Sequence, residues 1–159
     1  MKALLLIDIQ KGLTARPLYE KEKFFDNVNK AMLYYRQNNN LVVFVQHESK
    51  QLTAGTKDWE IDNRLHRKPT DAVFPKQKGD AFSSSDLVSY LKDNKVTDIA
   101  IGGLVTHGCI KHTCLGGVKA GFSMSLIQNG HTSWAKDAKD KIDVTETFLK
   151  EAGIIIIKI

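Results

Sequence analysis

Hydrophobic residues in this chain gather in short unbroken runs, separated by longer stretches that are polar or carry apolar residues at helical spacing. Lys2–Ile7 is one lysine followed by five apolar residues, and Leu41–Val45 (LVVFV) is a second such run. Ala72–Phe74, Asp98–Ile101, Ser123–Ile127 and Ile154–Ile157 complete the set. Runs of this length without polar alternation are expected of strands buried on both faces of a sheet. Between them, apolar residues at 24, 25, 28, 31, 32 and 35 predict a helix over Phe24–Asn38. Ser84–Asn94 is predicted helical, with serines available as caps and Asp86 in the first turn. Cys109–Lys119 and Val144–Glu151 are predicted as two further helices, the latter closed by Gly153. Gln46–Thr70 is polar, shows little period and reads as a long loop with one short helical turn, of the kind that usually carries function.

Strand–helix alternation of this kind predicts an α/β fold. The expected form is one three-layer α/β/α domain over residues 1–159, with about six parallel strands in doubly wound, Rossmann-like order and the first strand central. Right-handed crossovers bring the C-terminal ends of all strands to one edge, where ligands bind. Residues that follow the strands are therefore the candidates for chemistry: Asp8, His47, Lys76, the segment Gly103–Cys109, Asn129 and His131.

Three of them are chemically complementary. Asp8 ends an apolar run, where partial burial raises a carboxylate pKa toward that of a useful base. The alternative for it is a simple turn cap. Lys76 lies in Pro75-Lys76-Gln77-Lys78-Gly79-Asp80, and position alone does not separate it from Lys78. Cys109 follows a glycine-containing turn from strand into helix, where the helix N-terminus favours a thiolate and supplies N–H groups for an oxyanion. Cys114 is five residues on, about 140° round a helix, and is expected to be core packing. His107 is two residues from Cys109, a poor spacing for a fixed acid–base pair.

Composition narrows the classes. With 159 residues, 42% hydrophobic and 26% charged, the chain can bury roughly 70% of its unfolded surface without staples. Two cysteines do not make a disulfide framework, and the N-terminal apolar run is too short for a leader or a membrane span. The expectation is a cytoplasmic protein with reduced thiols and no membrane partner. The net charge of +5 comes from lysines scattered among acids, so a solvated surface is favoured over nucleic-acid binding. No P-loop, GxGxxG or HExxH is present, and no cofactor or metal is expected.

Taken together, LLLIDIQ, VVFVQH, PKQKGDAFSSSDL and IGGLVTHGCIKHTCLGGVKAGF resemble the isochorismatase-like cysteine hydrolases, the superfamily of nicotinamidases, carbamoylsarcosine-type amidases and isochorismatases. The resemblance runs from about Lys2 to His131. It implies a catalytic triad of Asp8, Lys76 and Cys109. The lysine is assigned by its distance of six residues from Phe82 in Asp80-Ala81-Phe82, the cysteine by a GxxTxxC pattern on Gly103, Thr106 and Cys109. It also implies a cis Leu104–Val105 bond, with the N–H groups of Val105 and Cys109 as oxyanion donors. Gln10, His47, Val105 and Phe82 are the expected substrate-contact positions. Nicotinamidases carry an Asp-x-His metal motif after the second strand, where this chain has Gln46-His47-Glu48-Ser49. The implied activity is hydrolysis of a small amide or other C–N bond through a thioester, in a homo-oligomer. An isochorismatase-type ether hydrolase and a non-catalytic relative that binds a small molecule or partner are the alternatives.

Overall fold

A computed structural model describes residues 1–159. Six strands, β1 (Lys2–Ile7), β2 (Leu41–His47), β3 (Ala72–Lys76), β4 (Asp98–Leu104), β5 (Ser123–Thr132) and β6 (Ile155–Ile157), form one sheet in the order β3-β2-β1-β4-β5-β6. Every pairing is parallel, and β1 lies at the centre as the apolar runs predict.

Successive residues of a strand face opposite sides of the sheet, and each side builds its own core. Leu5 and Ile7 of β1 join Val43, Val45, Ile99 and Ile101 beneath α3 (Ser85–Asp93), α4 (Lys111–Lys119) and α5 (Ala138–Glu151), which contribute Leu87, Leu91, Cys114 and Leu149. Leu4 and Leu6 join Phe44 and Ala100 on the other side, under Phe24, Val28, Met32 and Tyr35 of α2 (Lys21–Gln37). Phe24, Phe25 and Tyr35 are core residues, while Tyr34 is about half exposed. Cys114 is fully buried under the sheet, as expected for packing.

Several elements are longer than the apolar pattern indicates. β2 continues to His47, β3 to Lys76, and β4 through Gly102-Gly103 to Leu104. Ladder bonds carry these residues along regardless of hydrophobicity. β5 runs past Ile127 to Thr132, with Asn129 in the left-handed region (φ 58°) and a register shift opposite β4 between Ile101 and Gly103. A single helical turn (α1, Lys11–Thr14) and the first two turns of α5 carry too few apolar residues to stand out in the sequence. Pro75 is tolerated because β3 is an edge strand and need not donate on its outer side.

The strands that matter for chemistry end level with each other. Ile7 pairs with Val45 and Gly103, and His47 pairs with Lys76. Gly103 makes this alignment possible: it has φ +129°, and a Cβ there would overlap the Ile7 carbonyl oxygen and crowd the Ile7 nitrogen. We expect Gly103→Ala to lower unfolding free energy by about 3 kcal/mol or more, since it combines a forbidden backbone region with a clash against the central strand. Urea denaturation of the two proteins measures the difference, and a loss below about 1 kcal/mol would show that the strand edge relaxes freely.

Candidate functional site

Asp8 directly follows β1. Its N–H still donates to the Val45 carbonyl at 3.0 Å, but its φ of 58° turns the chain out of the strand. Aspartate is among the few residues that enter the left-handed region without large cost, so the carboxylate can sit at the strand end with 3% exposure. One carboxylate oxygen, Oδ1, is buried with no hydrogen-bond partner.

Lys76 is the last residue of β3, two strands from β1, which is a gap of roughly 9–10 Å. A long unbranched side chain is needed to cross it. The Lys76 side chain is fully buried, and its ammonium makes three hydrogen bonds: to the Lys78 carbonyl at 3.0 Å, to His47 Nδ1 at 3.0 Å and to Cys109 Sγ at 3.2 Å. Asp8 Oδ2 completes the group as an ion pair at 3.2 Å. Lys78 is exposed and supplies only its backbone carbonyl, so the lysine at the cleft is Lys76.

Cys109 lies in a wide turn, Thr106–Ile110, between β4 and α4. The thiol is part-buried, and its carbon neighbours belong to the core under α3 and α4. The implied cis bond at Leu104–Val105 is absent: all peptide bonds are trans, and Val105 is extended (φ −93°, ψ 151°). Trans avoids a penalty of about 3–4 kcal/mol. The change of direction is instead absorbed by Gly103 and by Gly108, whose φ and ψ lie outside the helical range.

Electrostatics in the group is dominated by burial. Burial pushes the Asp8 pKa up, against the opposing pull of Lys76 and of a hydrogen bond with Cys109. Burial, reinforced by the Asp8 charge, pushes the Cys109 thiol up to about 11, with Lys76 acting in the opposite direction. The pull of a helix N-terminus toward a thiolate is therefore outweighed: dehydration and the adjacent carboxylate together favour the protonated thiol over the effect of the ammonium. Burial, and then Lys76, pull the His47 pKa down. Its ring is neutral at pH 7, and Nδ1 accepts from the ammonium.

The remaining candidates separate. Gln10 is fully buried with its amide committed to backbone: Nε2 donates to the carbonyls of His47 (3.0 Å) and Trp59 (2.9 Å), and Oε1 accepts from the His47 N–H (2.9 Å). It ties the long loop to the ends of β1 and β2. Phe82 stacks on Phe122 with centroids 5.5 Å apart and packs against the core under α3 and α4. Val105 packs against the core under α2. His107 has a buried, unpartnered Nδ1, and burial followed by Lys141 pulls its pKa down. It makes no hydrogen bond to Cys109. The polar loop 48–71 carries no helix, but it is anchored by an antiparallel bridge between Gln10 and Ile61.

An isochorismatase domain model matches residues 2–153. The chain belongs to the isochorismatase family. It is 24% identical over 146 residues to an uncharacterised isochorismatase family protein of Bacillus subtilis strain 168, covering 87% of this chain and 78% of that one. The crystal structure of an isochorismatase family protein superposes with a TM-score of 0.92 at 27% identity, covering 98% of this chain and 97% of that chain. The pyrazinamidase of Pyrococcus horikoshii, solved in complex with zinc, shares the fold with a TM-score of 0.83 at 21% identity, over 99% of both chains.

That zinc complex raises the question of a metal here. Asp8, His47 and Cys109 offer ligand atoms within 4.8 Å of one another. The Lys76 ammonium, however, already stands about 3 Å from each. A divalent ion among these atoms would have to displace a buried cation that also donates to Lys78, so the residues do not fit a metal.

The geometry predicts opposite effects of the two charged neighbours on the thiol. Lys76→Met removes the charge that favours the thiolate, so alkylation of Cys109 by iodoacetamide at pH 8 should slow by about tenfold. Asp8→Asn removes a charge that opposes the thiolate, and alkylation should accelerate. Peptide mass spectrometry, with buried Cys114 as an internal reference, measures both; equal rates in all three proteins would contradict the assigned contacts.

Proposed function

We propose that this protein is a cysteine hydrolase that cleaves a small amide or related C–N bond through a thioester on Cys109. The observation that carries the reading is the Lys76 ammonium, placed 3.2 Å from both Asp8 Oδ2 and Cys109 Sγ. A buried cation held between a carboxylate and a part-exposed thiol suits acid–base-assisted nucleophilic attack.

The roles follow from the charges. Asp8 accepts the Cys109 thiol proton as Sγ forms its bond to the substrate carbonyl carbon. With a thiol pKa of about 11, full ionisation before attack is costly, so proton transfer accompanies S–C bond formation. Lys76 stabilises negative charge on sulfur, and the Cys109 N–H is the backbone donor for the oxyanion. The tetrahedral intermediate collapses by breaking the C–N bond, and the protonated Asp8 gives its proton to the departing nitrogen. Water then attacks the thioester with Asp8 again as base. The carboxylic acid leaves and the Cys109 thiol is restored. His47, neutral and hydrogen-bonded to Lys76, faces the same cleft and orients the ammonium. Val105, beside the turn, would border the substrate. A reducing cytoplasm would keep Cys109 free for this chemistry.

The presence of a thiol against a carboxylate favours acyl chemistry over ether cleavage, which needs an acid and no nucleophile. Ammonia release from a panel of small primary amides tests the reading, with pyrazinamide included because a protein of the same fold is a pyrazinamidase. Cys109→Ala should abolish turnover, lowering it by about 10⁴-fold or more, while Cys114→Ala should leave it nearly intact. An acyl adduct on Cys109 that hydroxylamine removes should appear by intact mass. Wild-type turnover by Cys109→Ala would refute the nucleophile assignment.

The reading includes a homo-oligomer. Leu33 and Tyr34, adjacent on α2 and about half exposed, are two of the exposed apolar side chains that a second copy could cover. Sedimentation at micromolar concentration should give a mass above 17.8 kDa; a single monomeric species would remove this part.

A further inference from the structure

Besides the group around Lys76, a second line of buried polar atoms reaches the turn that carries Cys109. His131 is 3% exposed and lies on β5 opposite Gly103, beyond the register shift. Its Nδ1 is 2.8 Å from Thr106 Oγ1, and its Nε2 is 2.9 Å from Glu146 Oε1. Thr106 is fully buried and opens the turn Thr106–Ile110; Glu146 belongs to α5 and is part-exposed. The Glu146 carboxylate can only accept, so it holds a proton on Nε2. In the neutral ring Nδ1 then accepts the Thr106 hydroxyl proton.

The turn needs such an anchor. Val105, which precedes it, offers no side-chain cap, and the turn's backbone leaves the helical range at Gly108. The backbone bonds that close it are local: Gly108 N–H and Ile110 N–H both donate to the Val105 carbonyl, the latter at 3.3 Å, and Lys111 N–H donates to the carbonyls of Gly108 and Thr106. None of them reaches across the sheet. The Thr106–His131–Glu146 line does, joining it to β5 and α5.

We propose that His131 is a positioning residue: with Glu146 it grips Thr106 and so keeps Cys109 Sγ against the Lys76 ammonium. The inference rests on the cysteine-hydrolase reading, and it adds to it a residue that touches neither substrate nor the reacting sulfur. A histidine that only stabilised the fold would lower the melting temperature and leave the Cys109–Lys76 contact unchanged in the folded protein.

A double-mutant cycle separates the two. Iodoacetamide alkylation of Cys109 at pH 8 is measured with and without Lys76→Met, in wild type and in a His131→Leu background. Circular dichroism confirms that each protein is folded. In wild type, Lys76→Met should slow alkylation by about tenfold, whereas with His131→Leu the same change should matter by less than about threefold. His131→Asn, whose amide oxygen can take the place of Nδ1 at Thr106, should restore most of the coupling. Thr106→Val, close in shape to the native side chain, serves if His131→Leu does not fold, and it should reduce the coupling to the same degree. An undiminished effect of Lys76→Met in the His131→Leu or Thr106→Val background overturns the proposal while leaving the hydrolase reading intact. So does failure of His131→Asn to restore it. An absent effect of Lys76→Met in wild type removes the triad itself and the positioning role with it.

Discussion

One buried ammonium holds the candidate site together. Lys76 brings a positive charge into a region where an unpaired charge would cost several kcal/mol, and the surrounding atoms answer that demand. Two acceptors, the Lys78 carbonyl and the neutral His47 ring, take two of its three protons. The third points to Cys109, and the Asp8 carboxylate supplies the counter-charge. Four strand ends must therefore finish at the same level, which is what the register of β3, β2, β1 and β4 provides.

The balance of charges explains why the thiol rests protonated. Asp8 and Lys76 act on Cys109 with opposite signs, and burial tips the result. With the ammonium alone the thiolate would be less disfavoured, with burial still opposing it. With the carboxylate present, the sulfur is kept as a thiol with its base in reach, and ionisation is coupled to bond formation. The unpartnered Asp8 Oδ1 is consistent with a carboxylate that keeps an acceptor open toward the cleft. The same lysine accounts for the misfit of a metal, since its ammonium stands among the atoms that would otherwise ligate one.

Support for the site comes from residues with no chemistry of their own. Gln10 spends its whole amide on backbone groups of His47 and Trp59 and so pins the long loop beside the cleft. Gly103 lets β4 pass the Ile7 backbone without collision. His131 and Glu146 tie the cysteine turn to the far side of the sheet. These contacts join residues from 15 to 49 positions apart or depend on close backbone approach, and none has a local signature.

The sequence by itself determined the sheet. Five apolar residues before Asp8 and the LVVFV run can be buried only as central strands, and alternation with helices leaves parallel crossovers as the solution. It also brought Asp8, Lys76 and Cys109 to one edge, because each follows a different buried run. The family pattern distinguished Lys76 from Lys78, which position alone did not. Tertiary structure decided what depends on summed burial and on distance. The cysteine pKa rises because dehydration at that depth exceeds the pull of Lys76, a sum over many atoms that no spacing rule contains. Gln10 became a clamp because its amide meets two strangers in sequence at hydrogen-bond distance. The peptide before Val105 is trans, and the unusual backbone angles fall on Gly103 and Gly108 instead. His131 found Thr106 and Glu146 only once β5 had slipped its register, since hydrogen bonds between distant segments are set by how the elements pack and not by the order of residues along the chain.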